Sequence, residues 1–345
     1  MTIREIIISE INKKGKINIS EFMEFCLYGM HGYYMNKIPI GVKNDFTTSP
    51  EISQMFGEIL SLFIINYWKE KINTEFNLIE LGPGKGTLIY DILSTAVIDE
   101  NFTKNINLTL IEKNIELIKL QKKAINKANF TRAIWEQNFK VKKSNIPSII
   151  YSNEFFDCFP VRQFIYKKSW FEKFVSFNEN NNSFYFSEKL VNKKDLLILL
   201  NLYKKEKILE VSFERNKYFE KICNFIKNNG GLFFTIDYGY LKNNNNFTLQ
   251  AIQNHKFSNV LENVGDKDIS SHVNFNDLIS IAEKYKLNID EFCTQRQFLI
   301  KFGILERMRN LSKNNNNKKI KSDLEKLTNA QEMGNLFKCL IVSNL

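Results

Sequence analysis

Apolar positions along the first half of the chain switch between two periods. Residues 3–13 and 20–28 space them helically and read as two short helices, with Ser20 as N-cap of the second. A polar, turn-rich connection follows, through His31-Gly32-Tyr33-Tyr34-Met35 and on to Glu51. Ser49 and Pro50 then make a helix start: an N-cap hydroxyl and a proline at the first helical position. Ile52, Met55, Phe56, Ile59, Leu60, Phe63, Ile64 and Tyr67 trace one face of that helix, over about 50–70. Asn77–Leu81 is an apolar run that predicts a buried strand. Thr87–Leu93 returns to helical spacing. Short strands at 108–112, weakly at 131–135, and at 148–152 flank a basic amphipathic helix at 114–128. Such alternation predicts a parallel sheet with any ligand at the strands' carboxyl ends.

The period changes again after Pro160. Segments 162–166, 170–177 and 183–186 read as short strands around an Asn turn, followed by a helix near 192–203 and a strand near 207–213. Helix 216–228, Gly230-Gly231 and a buried strand at 232–237 restore the α/β rhythm. Residues 274–287 and 296–329 read as mostly helical, and 336–343 as a closing strand. The predicted organisation is therefore four parts. Residues 1–72 carry N-terminal helices and a covering loop, 73–160 the ligand-binding half of an α/β domain, 161–213 an inserted substrate lobe, and 214–345 the rest of the domain.

The stretch joining the first buried strand to its helix is Glu80-Leu81-Gly82-Pro83-Gly84-Lys85-Gly86-Thr87. Strand, glycine-rich turn and helix open a nucleotide-binding α/β unit, because glycine lets backbone approach a ligand where a Cβ would collide. A dinucleotide site wants G-x-G-x-x-G, and here the third position of that pattern is Thr87. The spacing E-x-G-x-G-x-G instead resembles motif I of class I S-adenosylmethionine (SAM) methyltransferases. A tight turn without a ligand fits the same residues. Glu112 ends the second strand, where a carboxylate can accept both ribose hydroxyls, although a plain surface acid would look the same. Glu80 and Asp45 are candidates to face the sulfonium charge. In Asn153-Glu154-Phe155-Phe156-Asp157, two carboxylates three apart share a side if the segment makes a helical turn. They could pair with a guanidinium. Capping of the following turn is the alternative.

Composition changes little. The net charge of +10 comes from lysines scattered among acids and Asn runs, which argues against a nucleic-acid surface. Five widely spaced cysteines without C-x-x-C, and three histidines without ligand spacing, predict neither a disulfide framework nor a metal site. No stretch predicts a membrane-inserted helix, a signal peptide or a transit peptide. Nothing in the pattern specifies an oligomeric state.

Taken together the segments resemble the MidA-like SAM-dependent methyltransferase family, whose mitochondrial members are complex I assembly factors with protein-arginine methyltransferase activity. The stretches that carry the resemblance are His31–Tyr34, Asp45–Glu58, Glu80–Thr87, Asn153–Phe164, Ile236–Gly239, Ser271–Phe275 and Met333–Lys338. The D-F-T-T-x-P-E-I-S and N-E-F-F-D strings are far more specific than the glycine turn. The resemblance implies a Rossmann-like class I methyltransferase fold, with a mostly parallel seven-stranded sheet, an N-terminal helical extension and a substrate-lobe insertion. It implies SAM as cofactor, held by Gly82, Pro83, Gly84, Gly86 and Glu112 under a loop of Asp45, Phe46, Thr47 and Thr48. Glu154 and Asp157 would lie on the acceptor side as the catalytic pair. The implied partner is a protein substrate that bears the arginine, in mitochondrial members a subunit of the respiratory NADH dehydrogenase. The implied reaction is symmetric dimethylation. The compartment would be the cytoplasm for a bacterial-type member or the mitochondrial matrix for a eukaryotic one. Asn44, Asn274 and Arg296 depart from the family pattern. A non-catalytic SAM-binding assembly factor, a nicotinamide oxidoreductase, and a methyltransferase acting on a small molecule or nucleic acid remain the alternatives.

Overall fold

The computed structural model describes residues 1–36, 47–140, 145–202, 207–242, 245–313 and 317–344. Its central sheet is built from β1 (Phe76–Leu81), β2 (Ile106–Ile111), β3 (Ala133–Glu136), β4 (Ser148–Asn153), β5 (Gly231–Tyr240), β6 (Asn288–Thr294) and β7 (Phe337–Asn344). They lie in the order β3-β2-β1-β4-β5-β7-β6, and Val273–Asn274 adds a short parallel pairing to the end of β5. The first five strands of that order run parallel; β7 runs antiparallel to both β5 and β6. The chain winds outward from β1 to β3 and then restarts on the other side of β1 with β4. That reversal opens a crevice at the carboxyl ends of β1 and β4, the usual ligand position in such sheets.

Both faces of the sheet are covered, so β1 and β4 are buried almost throughout. One face packs α3 (Gln54–Tyr67) and α4 (Thr87–Ala96), joined by Phe298, Leu299 and Ile304 from the C-terminal helices. The other packs α6 (Phe213–Asn229) and α7 (Phe275–Lys284). Helix α5 (Ile115–Lys127) follows β2 and lies beside α4. Gly57 permits the close crossing of α3 and α4, since a Cβ there would meet the Asp91 Cβ at 2.4 Å.

A second, antiparallel sheet forms the lobe, from Arg162–Tyr166, Trp170–Asn178, Ser183–Leu190 and Ile208–Val211. It also takes in Ile17–Asn18, which pairs with Phe174 and Val175. The helices α1 (Ile3–Lys14) and α2 (Ile19–Tyr28) share one core with Val161, Val175, Phe184 and Ile269. The N-terminal segment thus packs as part of the lobe.

Several sequence expectations need correction. Helix α2 is capped by Asn18, not Ser20: the Asn18 side chain accepts the Glu21 amide and Glu21 answers with a capping box. Thr48, not Ser49, precedes the helical turn Ser49–Ile52, and the helix expected over 50–70 breaks at Ser53, whose hydroxyl caps α3. The helical reading of the C-terminal third misses β6. A three-stranded sheet at Gln250–Gln253, Lys256–Ser258 and Asp268–Ser270 also went unread.

Candidate active site

Glu80 ends its strand in the sheet interior, where the hydroxyl of Tyr151, its register partner on β4, donates to it at 3.1 Å. The chain then turns through Gly82, Gly84 and Gly86, whose φ values are +64°, +55° and +83°. A Cβ on Gly82 would meet the Phe155 ring at 2.7 Å, and one on Gly86 would press on Gln121 and Ala124 of α5 at 3.1 and 3.3 Å. Two of the three glycines therefore answer to protein packing as well as to backbone sign. Gly82, Pro83 and Gly84 form one wall of a cavity of about 370 Å³, and Gly86 lies behind it against α5.

Glu112 stands past the end of β2 on the same cavity. One carboxylate oxygen accepts the amides of Lys113 and Asn114, both at 2.8 Å, and the other accepts Gln121 Nε2 at 3.2 Å. The Gln121 amide also donates to Gly84 O at 2.8 Å, and Trp135 Nε1 fixes the Gln121 carbonyl at 2.9 Å. One side chain thus ties the glycine turn to the strand-end carboxylate. Sequence reading passed over Gln121 as one polar position on a helix. It also passed over Gln137, Asn138 and Phe139, which follow β3 and line the cavity. Their signal was positional: they follow the carboxyl end of a parallel strand.

Glu154 follows β4 with a left-handed backbone, φ +52°, uncommon for a residue with a side chain. Its amide donates to Ile236 O at 2.9 Å, and one carboxylate oxygen accepts Ser49 N at 3.0 Å and Asn153 Nδ2 at 2.9 Å. The carboxylate lines the cavity, and no lysine or arginine among the described residues pairs with it. Asp157 does not line the cavity. It belongs to an acidic group with Asp237 and Asp268, and its backbone carbonyl accepts the Ser271 amide at 2.9 Å. Asp237 receives the amides of Phe155, Phe156 and Tyr238 at 3.0, 2.7 and 2.9 Å, which shapes the turn that carries Glu154.

Of the expected covering loop, Asp45 and Phe46, with the departure at Asn44, lie outside the described residues. Thr48 lines the cavity and Thr47 does not. The following Glu51 accepts from Thr87 Oγ1 and lies 3.7 Å from Lys85 Nζ, fastening this segment to the glycine turn. The remaining wall comes from the N-terminal helices, which sequence reading left without a role: Glu24, Tyr28, Tyr34 and Met35 all face the cavity. The Tyr28 and Tyr34 rings stack at 5.8 Å, and their hydroxyls donate to Cys158 O at 3.1 Å and Asp268 Oδ1 at 2.6 Å. Asn274 and Arg296 stay off the cavity. Asn274 caps α7, and Arg296 donates to Thr328 O at 2.8 Å. No group of His, Cys, Asp and Glu among the described residues could hold a metal ion, and no helix among them is long and apolar enough to cross a membrane.

Burial dominates the electrostatics. It pushes Glu80 and Glu154 each up to about 8, against the partial relief of their hydrogen bonds, and raises Glu112 and Asp157 in the same direction. Among the described residues, six carboxylates (Glu24, Glu51, Glu80, Glu112, Glu154 and Glu214) and three lysines (Lys85, Lys113 and Lys221) line the cavity of a chain whose net charge is +10. Such a lining suits a cation. A measurable consequence concerns the ligand-free protein. In Glu80 and Glu154 the folded value lies above the unfolded one, so the folded state holds protons that the unfolded state releases. Their contribution to stability should be fully present below about pH 4.5 and fall through the window up to about pH 8. Chemical denaturation across that range should show the midpoint dropping, and Glu80→Gln should flatten the slope. A midpoint that stays flat over the window, and is unchanged by Glu80→Gln, would mean that both acids titrate normally.

Residues 59–293, more than half of the chain, match the model of a family described as "Putative S-adenosyl-L-methionine-dependent methyltransferase". The chain belongs to this family. Protein arginine methyltransferase NDUFAF7, mitochondrial, from Danio rerio is 29% identical, over 97% of the chain and 85% of its own length. The Homo sapiens protein of the same name is 28% identical, over 95% and 80%. A Burkholderia thailandensis protein solved with S-adenosyl-homocysteine bound superposes with a TM-score of 0.86, covering 99% of this chain and 92% of that one at 20% identity, a likeness of fold. The fold is that of a class I methyltransferase and the cofactor is SAM. The residues fit it: a cavity of sufficient size, backbone-lined at the glycine turn, closed by the strand-end carboxylate and, among the described residues, lined by more acids than lysines.

Proposed function

We propose that this methyltransferase acts on an arginine side chain of a protein, as the names of its curated relatives say of those proteins. Gly82, Pro83, Gly84 and Glu112 hold SAM in this reading, with Glu112 on the ribose hydroxyls and the Glu80 carboxyl buried behind the glycine turn. Bound SAM supplies an electrophilic methyl group on a sulfonium.

The observation that carries the reading is Glu154: a carboxylate in a strained backbone, lining the cofactor's cavity with no cation paired to it among the described residues. A guanidinium is planar and positively charged, and its pKa exceeds ~12, so it must be activated rather than simply deprotonated. Glu154 pairs with it and concentrates its charge away from the attacking nitrogen. It takes the proton that nitrogen loses as the new bond forms. Positioning supplies most of the rate in such a transfer. Asp157 and Asp237 act behind Glu154, through the turn they shape.

Symmetric dimethylation, and a subunit of the respiratory NADH dehydrogenase as the acceptor, follow from the family resemblance and belong to the proposal. The mitochondrial label in the relatives' names supports the mitochondrial matrix as the setting of a eukaryotic member. Proteome-wide mass spectrometry should find one or a few arginine sites whose symmetric dimethylation disappears when the gene is deleted and returns with the wild-type chain. Unchanged arginine methylation, with loss of methylation on another class of molecule, would overturn the acceptor.

A further inference from the structure

Cys293 on β6 and Cys339 on β7 are 46 positions apart in the chain, yet they are direct register partners across the antiparallel pair. Directly opposed residues in such a ladder have Cα atoms about 4.5–5.5 Å apart, within the roughly 4.4–6.8 Å that a disulfide spans. Both side chains belong to the same core, Cys339 within it and Cys293 packed against it.

Their surroundings differ. Cys339 is fully buried in the core beneath the C-terminal helices, whereas Cys293 is half-buried at the outer strand, with Glu291 and Lys301 beside it. The neighbouring Cys339 side chain holds Cys293 below the ordinary thiol range, and burial holds Cys339 above it. A half-exposed sulfur whose thiolate is favoured, backed by a buried thiol, is the arrangement of an attacking and a resolving cysteine. Burial raises Cys26, Cys158 and Cys223, and none of them has a cysteine partner.

We propose that Cys293 and Cys339 form an oxidation site that closes to a cross-strand disulfide in the presence of a peroxide. The Cys293 thiolate attacks one oxygen of hydrogen peroxide. The O–O bond breaks, leaving a sulfenic acid on Cys293 and releasing hydroxide, which takes up the proton the Cys293 thiol had lost and becomes water. The Cys339 sulfur then displaces the hydroxyl group from Cys293, and its own proton leaves with that group as water. Two thiols lose two electrons in all, and one peroxide becomes two waters. The cross-link lands next to the active site's support. β6 runs directly into Gln295, whose carbonyl accepts Ser49 Oγ at 3.2 Å and whose amide donates to Leu327 O at 2.9 Å. Ser49 in turn gives its amide to Glu154. Closure therefore pins the strand that anchors the covering segment.

The test is to treat the reduced full-length protein with hydrogen peroxide, block free thiols and digest without reductant. A linked pair of peptides containing Cys293 and Cys339, lighter than the two thiols by two hydrogens, is expected. The thermal midpoint should rise on oxidation and return with dithiothreitol. Cys293→Ser should abolish the cross-link and Cys26→Ser should keep it; the wild-type peptide map decides even if a Cys339 variant fails to fold. Over-oxidation of Cys293 with Cys339 left free, a cross-link to another cysteine, or thiols untouched by peroxide would each overturn the proposal.

Discussion

Glu154→Gln is expected to lower methyl-transfer turnover by about two to three orders of magnitude while leaving the dissociation constant for SAM within about twofold, since a neutral isostere changes no cofactor hydrogen bond. Gln keeps the volume, and its carbonyl can still accept the Ser49 and Asn153 donors now bound to one carboxylate oxygen. What it loses is the negative charge and the ability to take a proton. Because burial disfavours the ionised carboxylate, removing that charge should leave the fold as stable as before or more so. A loss of activity could not then be assigned to unfolding. Asp157→Asn should cost less, because Asp157 does not face the cavity and reaches it only through the turn it shares with Asp237. Calorimetric titration of SAM and single-turnover transfer from labelled SAM would read the two effects separately. Normal turnover in Glu154→Gln would remove Glu154 from the acceptor chemistry, and an equal loss of SAM affinity would move it to the cofactor side.

Much of the fold was legible because strand and helix periods in an α/β chain are locally encoded. Strand β1, the glycine turn, α4, β2 and α5 follow the apolar pattern to within three residues. The lobe strands were legible too, from alternation around an Asn turn. The misses have a common physical cause. Strand β6, Asn288–Thr294, is half-exposed and carries Asp290 and Glu291 among its apolar residues, so its identity comes from pairing with β7 rather than from its own pattern. The two-residue strand Ile17–Asn18 exists only because the lobe edge is beside it. Ser20 looked like a cap because hydroxyls favour that place, but Asn18 takes it by matching Glu21 three residues on.

The candidate site divides along the same line. Glu80, Gly82, Gly84, Glu112 and Glu154 announced themselves by standing at strand ends in recognisable strings, and all five reach one cavity. Tyr28, Tyr34, Gln121 and Asn138 reach it as well. Each is an ordinary helix or loop residue until the topology brings it there. The glycines were read as making room for a ligand. Gly82 and Gly86 also make room for Phe155 and α5, a pressure that only the packed structure exposes.

That distinction sets the second large expected effect, at Gly84. Gly84→Asn should weaken SAM binding by at least about 100-fold, near 2.7 kcal/mol, with little loss of fold stability. The position has φ +55°, which Asn tolerates better than other residues with a side chain, and its carbonyl can keep the 2.8 Å bond from Gln121. The new side chain stands on the wall of the cavity where backbone alone now lies. Gly84→Val should abolish binding outright, but a branched residue at positive φ adds strain, so Asn is the cleaner probe. Gly86→Ala is the matched control. Its Cβ would press on Gln121 and Ala124 at 3.1 and 3.3 Å, away from the cavity, so its cost should fall on the denaturation midpoint first. Titration calorimetry beside chemical denaturation would place each variant on two axes, affinity and stability. Gly84→Asn should move along the first and Gly86→Ala along the second. If Gly84→Asn binds SAM like the wild type, the turn is a packing device throughout, and the cofactor must be held by Glu112 and the residues after β3 instead.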